Sequence, residues 1–187
     1  MVKLLKGNEG WHCDSTYVAV QSKGAVMTAE IVPDEGGETG FSDMRAAYDA
    51  LDEATKSKIA SLSARHVLSY GEGKHVHTYG EGSDYEPLRP LVKTHPETGR
   101  RCLMIGRHVQ AIPGLNEAES KRLLQELAEF AVRPPRLHYH RWTPGDAVIW
   151  DNRALMHCAC PWDMREPRVL YHSRIAGDPI SEFSASA

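Results

Sequence analysis

Several features that mark large classes of protein are scarce in this sequence. Basic residues do not exceed acidic ones: 22 Lys and Arg stand against 25 Asp and Glu, with a net charge of −3, which argues against a nucleic-acid partner. Apolar runs are well short of the ~20 residues that cross a membrane. The four cysteines do not have the spacing of a disulfide framework. We therefore expect a cytoplasmic protein that binds neither nucleic acid nor membrane.

The sequence instead contains many short runs rich in β-branched and apolar residues. Its 187 residues predict a single domain, 1–187. Strands are predicted at 17–32 (two strands and a turn), 91–106 (a hairpin turning at 96–99), 137–142, 147–150 and 168–175. Residues 69–89 show no sustained periodicity, which predicts a long loop.

Three segments have the pattern of α-helices. The first is predicted to be capped by Ser42, and the second to begin after the N-cap Asp52 and run to about residue 64. The third covers 116–132, where Asn116 and Glu119 form a capping box ahead of an apolar stripe. The chain is therefore expected to be mixed α+β and mainly β, with helical insertions.

Two histidines and one aspartate form a candidate metal site. Alternate residues of a strand share a face, so His12 and Asp14 would point together while Cys13 points away. His157 lies far downstream, after a turn, an apolar strand and a polar Asp-Asn-Arg corner. Two imidazoles and one carboxylate can bind one face of an octahedral Fe(II) ion and leave the opposite face open. The alternatives are a surface loop at 12–14 and an ordinary hairpin with a hydrogen-bonded histidine at 157.

Arg168 follows His157 by eleven residues. Its planar guanidinium is a suitable anchor for an acidic co-substrate. Ligands on distant strands, with helices inserted between them, fit a double-stranded β-helix, the jelly roll of cupin-like proteins.

These motifs occur together in an order that resembles one known family. The sequence reads Trp-His-Cys-Asp at 11–14, Gly-Gly-Glu-Thr at 36–39, Gly-Asp at 145–146 and Trp-Asp-Asn-Arg at 150–153, followed by His157 and Arg168. In this order the chain, from about residue 8 to 179, resembles the taurine dioxygenase family of 2-oxoglutarate-dependent oxygenases. Segment 43–51 looks closest to the 2,4-dichlorophenoxyacetate (aryloxyalkanoate) dioxygenase branch.

The resemblance implies cofactors and residue roles. The implied metal is Fe(II), with 2-oxoglutarate as co-substrate and O2 as oxidant, and the implied products are succinate, CO2 and a hydroxylated small organic acid, aryloxyalkanoate- or sulfonate-like. The implied catalytic metal ligands are His12, Asp14 and His157; the implied 2-oxoglutarate-binding residues are Thr39 and Arg168; and Asn8 falls where the family often has an active-site asparagine. A guanidinium plus a hydroxyl is a sound clamp for a carboxylate.

The sequence departs from the family pattern in two ways. The His-x-Asp motif begins almost at Met1, so the domain is expected to be N-terminally short, with an open sheet edge through which it can form a homo-oligomer. His172 stands where the taurine enzyme grips its anion with an arginine. We expect His172 and Arg174 to bind a substrate anion beneath the 69–89 loop, whose tyrosines can stack on an aryl ring.

Two other functions stay open at this point. The short N-terminus favours, as an alternative to an enzyme, a truncated non-catalytic β-helix protein of the same family. A structural zinc protein is a third reading, although His₂Asp with an open position is unusual for structural zinc. His138 and His140 are expected to lie on the sheet surface, and the Cys-x-Cys pair at 158–160 lacks zinc-finger spacing.

Overall fold

The computed structural model describes residues 8–68 and 86–185. Within these ranges the chain is mainly β with a few helices, as the sequence predicts. The strands are β1 (Gly24–Ile31), β2 (Thr39–Asp43), β3 (Ser63–His66), β4 (Leu88–Pro90), β5 (Val92–Thr94), β6 (Arg101–Leu103), β7 (Val109–Ala111), β8 (Leu137–His140), β9 (Ala147–Asp151), β10 (Leu155–Ala159) and β11 (Val169–Ile175). The helices are α1 (Met44–Asp49), α2 (Glu53–Ile59), α3 (Glu117–Ala131) and α4 (Pro179–Glu182).

Two antiparallel sheets of three strands carry the functional residues. Their strand orders are β11–β1–β9 and β10–β2–β8, with β1 and β2 in the centres. Phe41 of β2 and Trp150 of β9 meet edge to face with ring centroids 5.5 Å apart, and Ala25 of β1 completes this cluster. The inner faces of the two sheets therefore contact each other through buried aromatic surface.

A larger core lies on the outer side of the sheet β10–β2–β8, and its position determines which way the candidate ligands point. Helices α1 and α3 pack there with the sheet β4–β3–β7 and the hairpin β5–β6. Cys13 and Met156 are buried in this core, at 3% and 0% exposure. Because successive residues of an extended chain face opposite sides, the neighbours of Cys13 and Met156 face inward, between the two sheets.

The helix predictions are largely confirmed. Helix α3 begins at the N-cap Asn116, whose side chain accepts from the Glu119 amide, and the reciprocal capping-box bond is present. Asp52 caps α2 as expected, but the helix ends at Ile59 because β3 begins soon after. The predicted cap of α1 is wrong by one residue: Asp43 caps it, while Ser42, still in β2, donates its hydroxyl hydrogen to the carbonyl of Ala131.

The strand predictions need more correction. The hairpin at 91–106 and the strand at 168–175 are confirmed, but 17–32 holds one strand, β1, plus an isolated bridge at Val20. Strands β8 and β9 lie in different sheets, so the turn at Gly145 links the sheets instead of closing a hairpin. Strand β10, which carries His157, was not predicted.

Most of the predicted loop at 69–89, residues 69–85, lies outside the described residues. The end of this segment belongs to β4, where Arg89 is 3% exposed and donates to the carbonyls of Thr16 and Val18. In the described part of the chain, no helix is long and apolar enough to span a bilayer.

Candidate metal centre and co-substrate pocket

Two distant segments bring the candidate ligands together. His12 forms an isolated antiparallel bridge with His157 of β10, through amide-to-carbonyl bonds of 2.9 and 2.8 Å, and the two rings lie 4.3 Å apart. Residue 12 is therefore extended, but a turn begins at Asp14, and Ser15 follows with a φ of 57°. The predicted full strand is wrong, yet the predicted convergence holds: one ligand atom from each of His12, Asp14 and His157 lies within 4.8 Å of the others, and all three residues are buried.

The two oxygens of the Asp14 carboxylate face different partners. Oδ1 lies 3.8 Å from Nε2 of His12 and 3.9 Å from Nε2 of His157. Oδ2 lies on the other side, 3.2 Å from Nε2 of His172 and 3.8 Å from Nε of Arg174. The carboxylate therefore offers one oxygen to the ligand cluster and turns the second toward strand β11.

The protonation states suit metal binding. Burial lowers the pKa of His12 well below its ordinary value and lowers that of His157 to about 4, so both rings are neutral near pH 7. Burial alone would raise the pKa of Asp14, but the contact with His172 and the facing imidazoles hold it below its usual range. The cluster is thus a carboxylate with two neutral imidazoles, the form in which these side chains bind a metal.

The orientation of the first ligand is fixed by the backbone. Nδ1 of His12 lies 2.7 Å from the carbonyl oxygen of Gly10, so Nδ1 carries the proton and Nε2 presents its lone pair to the cluster. Cis ligands at metal bond lengths of about 2.1 Å are about 3 Å apart, and the two carboxylate-to-imidazole separations exceed this by under 1 Å. Small side-chain movements therefore bring the set onto a divalent ion. The set is the facial two-histidine, one-carboxylate group typical of non-haem Fe(II).

The predicted 2-oxoglutarate anchors lie beside this cluster. Nε and Nη2 of Arg168 donate to the carbonyl of Gly37 at 3.2 and 2.9 Å, and the guanidinium carbon lies 4.9 Å from the ring centroid of Trp162. The hydroxyl oxygen of Thr39 accepts from Nε1 of Trp142 at 2.9 Å, which leaves its own hydrogen available to a carboxylate. Desolvation lowers the pKa of Arg168, although an arginine stays cationic.

A glycine is needed at position 37, where the backbone carbonyl accepts from Arg168. Its φ is +69°, and a Cβ at this position would lie 3.0 Å from Nε of Arg168 and 3.0 Å from Cγ of Pro33. A side chain here would both strain the backbone and push the guanidinium away. The Gly-Gly-Glu-Thr motif thus sets the position of Arg168 as well as presenting Thr39.

Comparison with known proteins decides the family. The family model described as taurine catabolism dioxygenase TauD, TfdA family matches residues 2–174. The chain belongs to this family. Membership confirms the resemblance seen in the motifs and places the chain among the 2-oxoglutarate-dependent dioxygenases, oxidoreductases that use Fe(II) and O2.

Curated relatives in the TauD/TfdA family align with more than nine tenths of this chain. An "(S)-phenoxypropionate/alpha-ketoglutarate-dioxygenase" of Sphingobium herbicidovorans is 61% identical over 192 residues, covering 97% of this chain and 67% of the relative. One of the same name from Delftia acidovorans is 54% identical, covering 99% and 66%. A 2,4-dichlorophenoxyacetate dioxygenase of Cupriavidus pinatubonensis is 36% identical, covering 92% and 62%. The chain thus spans about two thirds of the length of these relatives.

Solved structures of TauD/TfdA proteins agree with the fold. The crystal structure of AAD-2 in complex with Mn(II) and N-oxalylglycine aligns with a TM-score of 0.87 at 35% identity, over 95% of this chain and 72% of that one. A taurine dioxygenase from Burkholderia xenovorans aligns with a TM-score of 0.81 at 28% identity, over 98% and 64%.

The ligand cluster opens into a cavity of about 260 Å³ that holds every predicted site residue of this TauD/TfdA protein. The predicted residues in its wall are Asn8, His12, Asp14, Thr39, His157, Arg168, His172 and Arg174. The structure therefore brings the whole predicted set together. Six further residues in the wall were missed: Tyr17, Met27, Leu68, Arg107, His108 and Ala159.

The missed residues Arg107 and His108 lie next to the candidate ligands. Nη2 of Arg107 donates to Oδ1 of Asn8 at 3.2 Å, and the ring of His108 meets that of His12 edge to face at 5.6 Å. Gly106 permits this approach: its φ is +126°, and a Cβ there would lie 2.9 Å from the carbonyl oxygen of Trp11. This glycine, the last residue of the predicted hairpin, is a local signal that the chain passes close to another segment.

Other predicted features lie away from the cluster or outside the described residues. The tyrosines of the 69–89 loop (Tyr70, Tyr79 and Tyr85) lie outside the described residues. Nε2 of His140 lies 3.1 Å from Oδ2 of Asp146, and neither His138 nor His140 lines the cavity. The four cysteines are free.

Proposed function

We propose that this TauD/TfdA protein is an Fe(II)- and 2-oxoglutarate-dependent dioxygenase that hydroxylates a small organic anion, preferably an aryloxyalkanoate, with release of succinate and CO2. The observation that carries the proposal is the cluster of three buried ligand atoms within 4.8 Å, in one cavity with Arg168. A bound Fe(II) would supply the O2 activation that amino-acid side chains do not provide.

The residues of this chain would bind and orient the reactants. His12, Asp14 and His157 would hold the metal by one face, so the opposite face stays open to 2-oxoglutarate and O2. Arg168 would pair with the distal carboxylate of 2-oxoglutarate and Thr39 would donate its hydroxyl hydrogen to it. Both anchors are held by other groups, Gly37 and Trp142, so little ordering is needed when the co-substrate binds.

A second anion can bind in the same cavity. After Arg168 is assigned to 2-oxoglutarate, Arg107 and Arg174 still contribute cationic side chains to the wall. The predicted substrate contacts of Asn8, His172 and Arg174 stay predictions. Arg174 is the stronger anion partner, because its guanidinium is permanently charged and presents a planar fork of donors that matches a carboxylate. Met27 and Leu68 add the apolar surface that an aryl group needs.

We also infer that residues 1–187 form one catalytic domain built on a double-stranded β-helix. Two facing three-stranded sheets support this inference, since the metal ligands meet between them from the 12–14 segment and β10. The alternative, a non-catalytic β-helix protein, is disfavoured because the ligand set and the co-substrate anchors are all present.

A substrate panel tests the proposed function. With Fe(II), 2-oxoglutarate and O2, succinate release is expected with 2-phenoxypropionate and not with its neutral methyl ester. In Arg174→Ala the KM for the acid is expected to rise about tenfold, equivalent to ~1.4 kcal/mol. This is less than for a buried arginine, because solvent screens a half-exposed charge.

Arg165→Ala is the matched control for this experiment, since Arg165 is 90% exposed and bonds to Asp163. It should leave the KM unchanged. Turnover of the neutral ester alone, or an unchanged KM in Arg174→Ala, would contradict the substrate assignment.

A further inference from the structure

One wall of the metal centre has a feature that the ligand assignment leaves unexplained. His172 was expected to grip a substrate anion, but its Nε2 lies 3.2 Å from Oδ2 of Asp14. That oxygen is buried and makes no hydrogen bond of standard geometry with any described residue. The short contact therefore involves the one oxygen of Asp14 that does not face His12 and His157.

The position of the His172 ring is fixed from two sides. Its plane stacks on the indole of Trp150, with centroids 5.5 Å apart and an interplanar angle of 18°. Its backbone is paired with Met27 in the register of β11 against β1. Trp150 itself is 5% exposed and bonds through Nε1 to Oδ1 of Asn152 at 2.9 Å. A ring held this way can direct a donor at one atom with little loss of entropy.

The different surroundings of the two Asp14 oxygens affect how this carboxylate can bind a metal. A carboxylate binds a cation through one oxygen or both. Two imidazoles and one carboxylate oxygen leave three of six octahedral positions open. If 2-oxoglutarate needs two of these positions and O2 the third, a second bond from Asp14 would compete with O2 for the metal.

The geometry points to His172 as a positioning residue of the metal centre: its Nε2, 3.2 Å from Oδ2 of Asp14, is the donor that would hold this oxygen away from a bound metal, so that the carboxylate would bind through Oδ1 alone. This assignment rests on the proposed function, because it presumes a metal at the three ligands. It gives His172 a role through Asp14, and it leaves the binding of the substrate anion to Arg174.

The role of the His172 Nε2–H donor can be tested by replacing His172 with amide side chains of different length. Glutamine places its amide nitrogen close to where the histidine Nε2 lies, whereas asparagine is one carbon shorter and leucine has no donor. Changes in groups that orient a metal ligand typically cost 10–100-fold in metal affinity. We therefore expect the Mn(II) Kd of the full chain to rise 10–100-fold in His172→Leu and His172→Asn and to stay within about threefold of wild type in His172→Gln. His138→Gln, an exposed histidine on β8, is the matched control and should match wild type.

The kinetics separate this role from the binding of substrate. Under the proposal, the KM for 2-phenoxypropionate measured at saturating metal is unchanged in the leucine and asparagine variants, while kcat falls. A raised KM with an unchanged Mn(II) Kd would overturn the proposal in favour of the anion grip.

Each outcome of the metal titration is informative. A glutamine variant as weak as the leucine variant would show that the donor is not what matters, and equal Kd values in all four proteins would overturn the proposal alone. If His172→Leu does not fold, the comparison of glutamine with asparagine decides. A wild-type chain that binds no Mn(II) would instead overturn the proposed function itself.

Discussion

Replacing Arg168 with alanine is expected to raise the 2-oxoglutarate concentration for half-maximal turnover by about 30-fold or more and to leave Fe(II) binding unchanged. Removing one charged partner of a largely desolvated ion pair costs about 2–5 kcal/mol, and ~1.4 kcal/mol corresponds to a factor of ten. The Arg168 guanidinium is partly desolvated by burial, which lowers its pKa. Initial rates against 2-oxoglutarate and a separate metal titration measure the two quantities.

Thr39→Val should change the same parameter in the same direction and less, because it removes one neutral donor, worth about 0.5–1.5 kcal/mol. Arg165→Ala again serves as the control. An unchanged 2-oxoglutarate requirement in Arg168→Ala would move the anchor to another cation of the cavity wall, Arg107 or Arg174.

The largest effect is expected from the ligands themselves. Asp14→Ala and His157→Ala should each lose Fe(II) binding and turnover together, since two protein ligands hold a metal far less firmly than three. Metal binding is measured by anaerobic titration and turnover by substrate-dependent succinate. His138→Ala, outside the cluster, should retain both. If either ligand variant keeps wild-type succinate formation, the assignment of the three ligands is wrong.

The parts of this structure that the sequence predicts are those set by local interactions. Helix α3 was predicted to within a residue at each end, because its capping box and apolar stripe lie within one short segment. The hairpin at 91–106 was predicted from the turn between its strands. The three candidate ligands could be chosen from the sequence because the His-x-Asp motif carries two of them and the family spacing supplies His157.

The parts that were missed depend on contacts far apart in the chain. Strand β10 pairs with β2 and with His12, and no pattern within residues 155–159 indicates either partner. The contact of His172 with Asp14 depends on the register that sets His172 opposite Met27. Arg107 and His108 reach the site only because Gly106 lets one backbone pass close to another.

The most direct test of the account is an anaerobic absorption titration of the full chain with Fe(II) and then 2-oxoglutarate. Three ligands at His12, Asp14 and His157, with the co-substrate anchored on Arg168, predict a visible charge-transfer band that appears only when both are present. The band should be absent in Asp14→Ala at any 2-oxoglutarate concentration. A wild-type chain that binds Fe(II) and 2-oxoglutarate but gives no band would show that the co-substrate does not chelate the metal, and it would contradict the account.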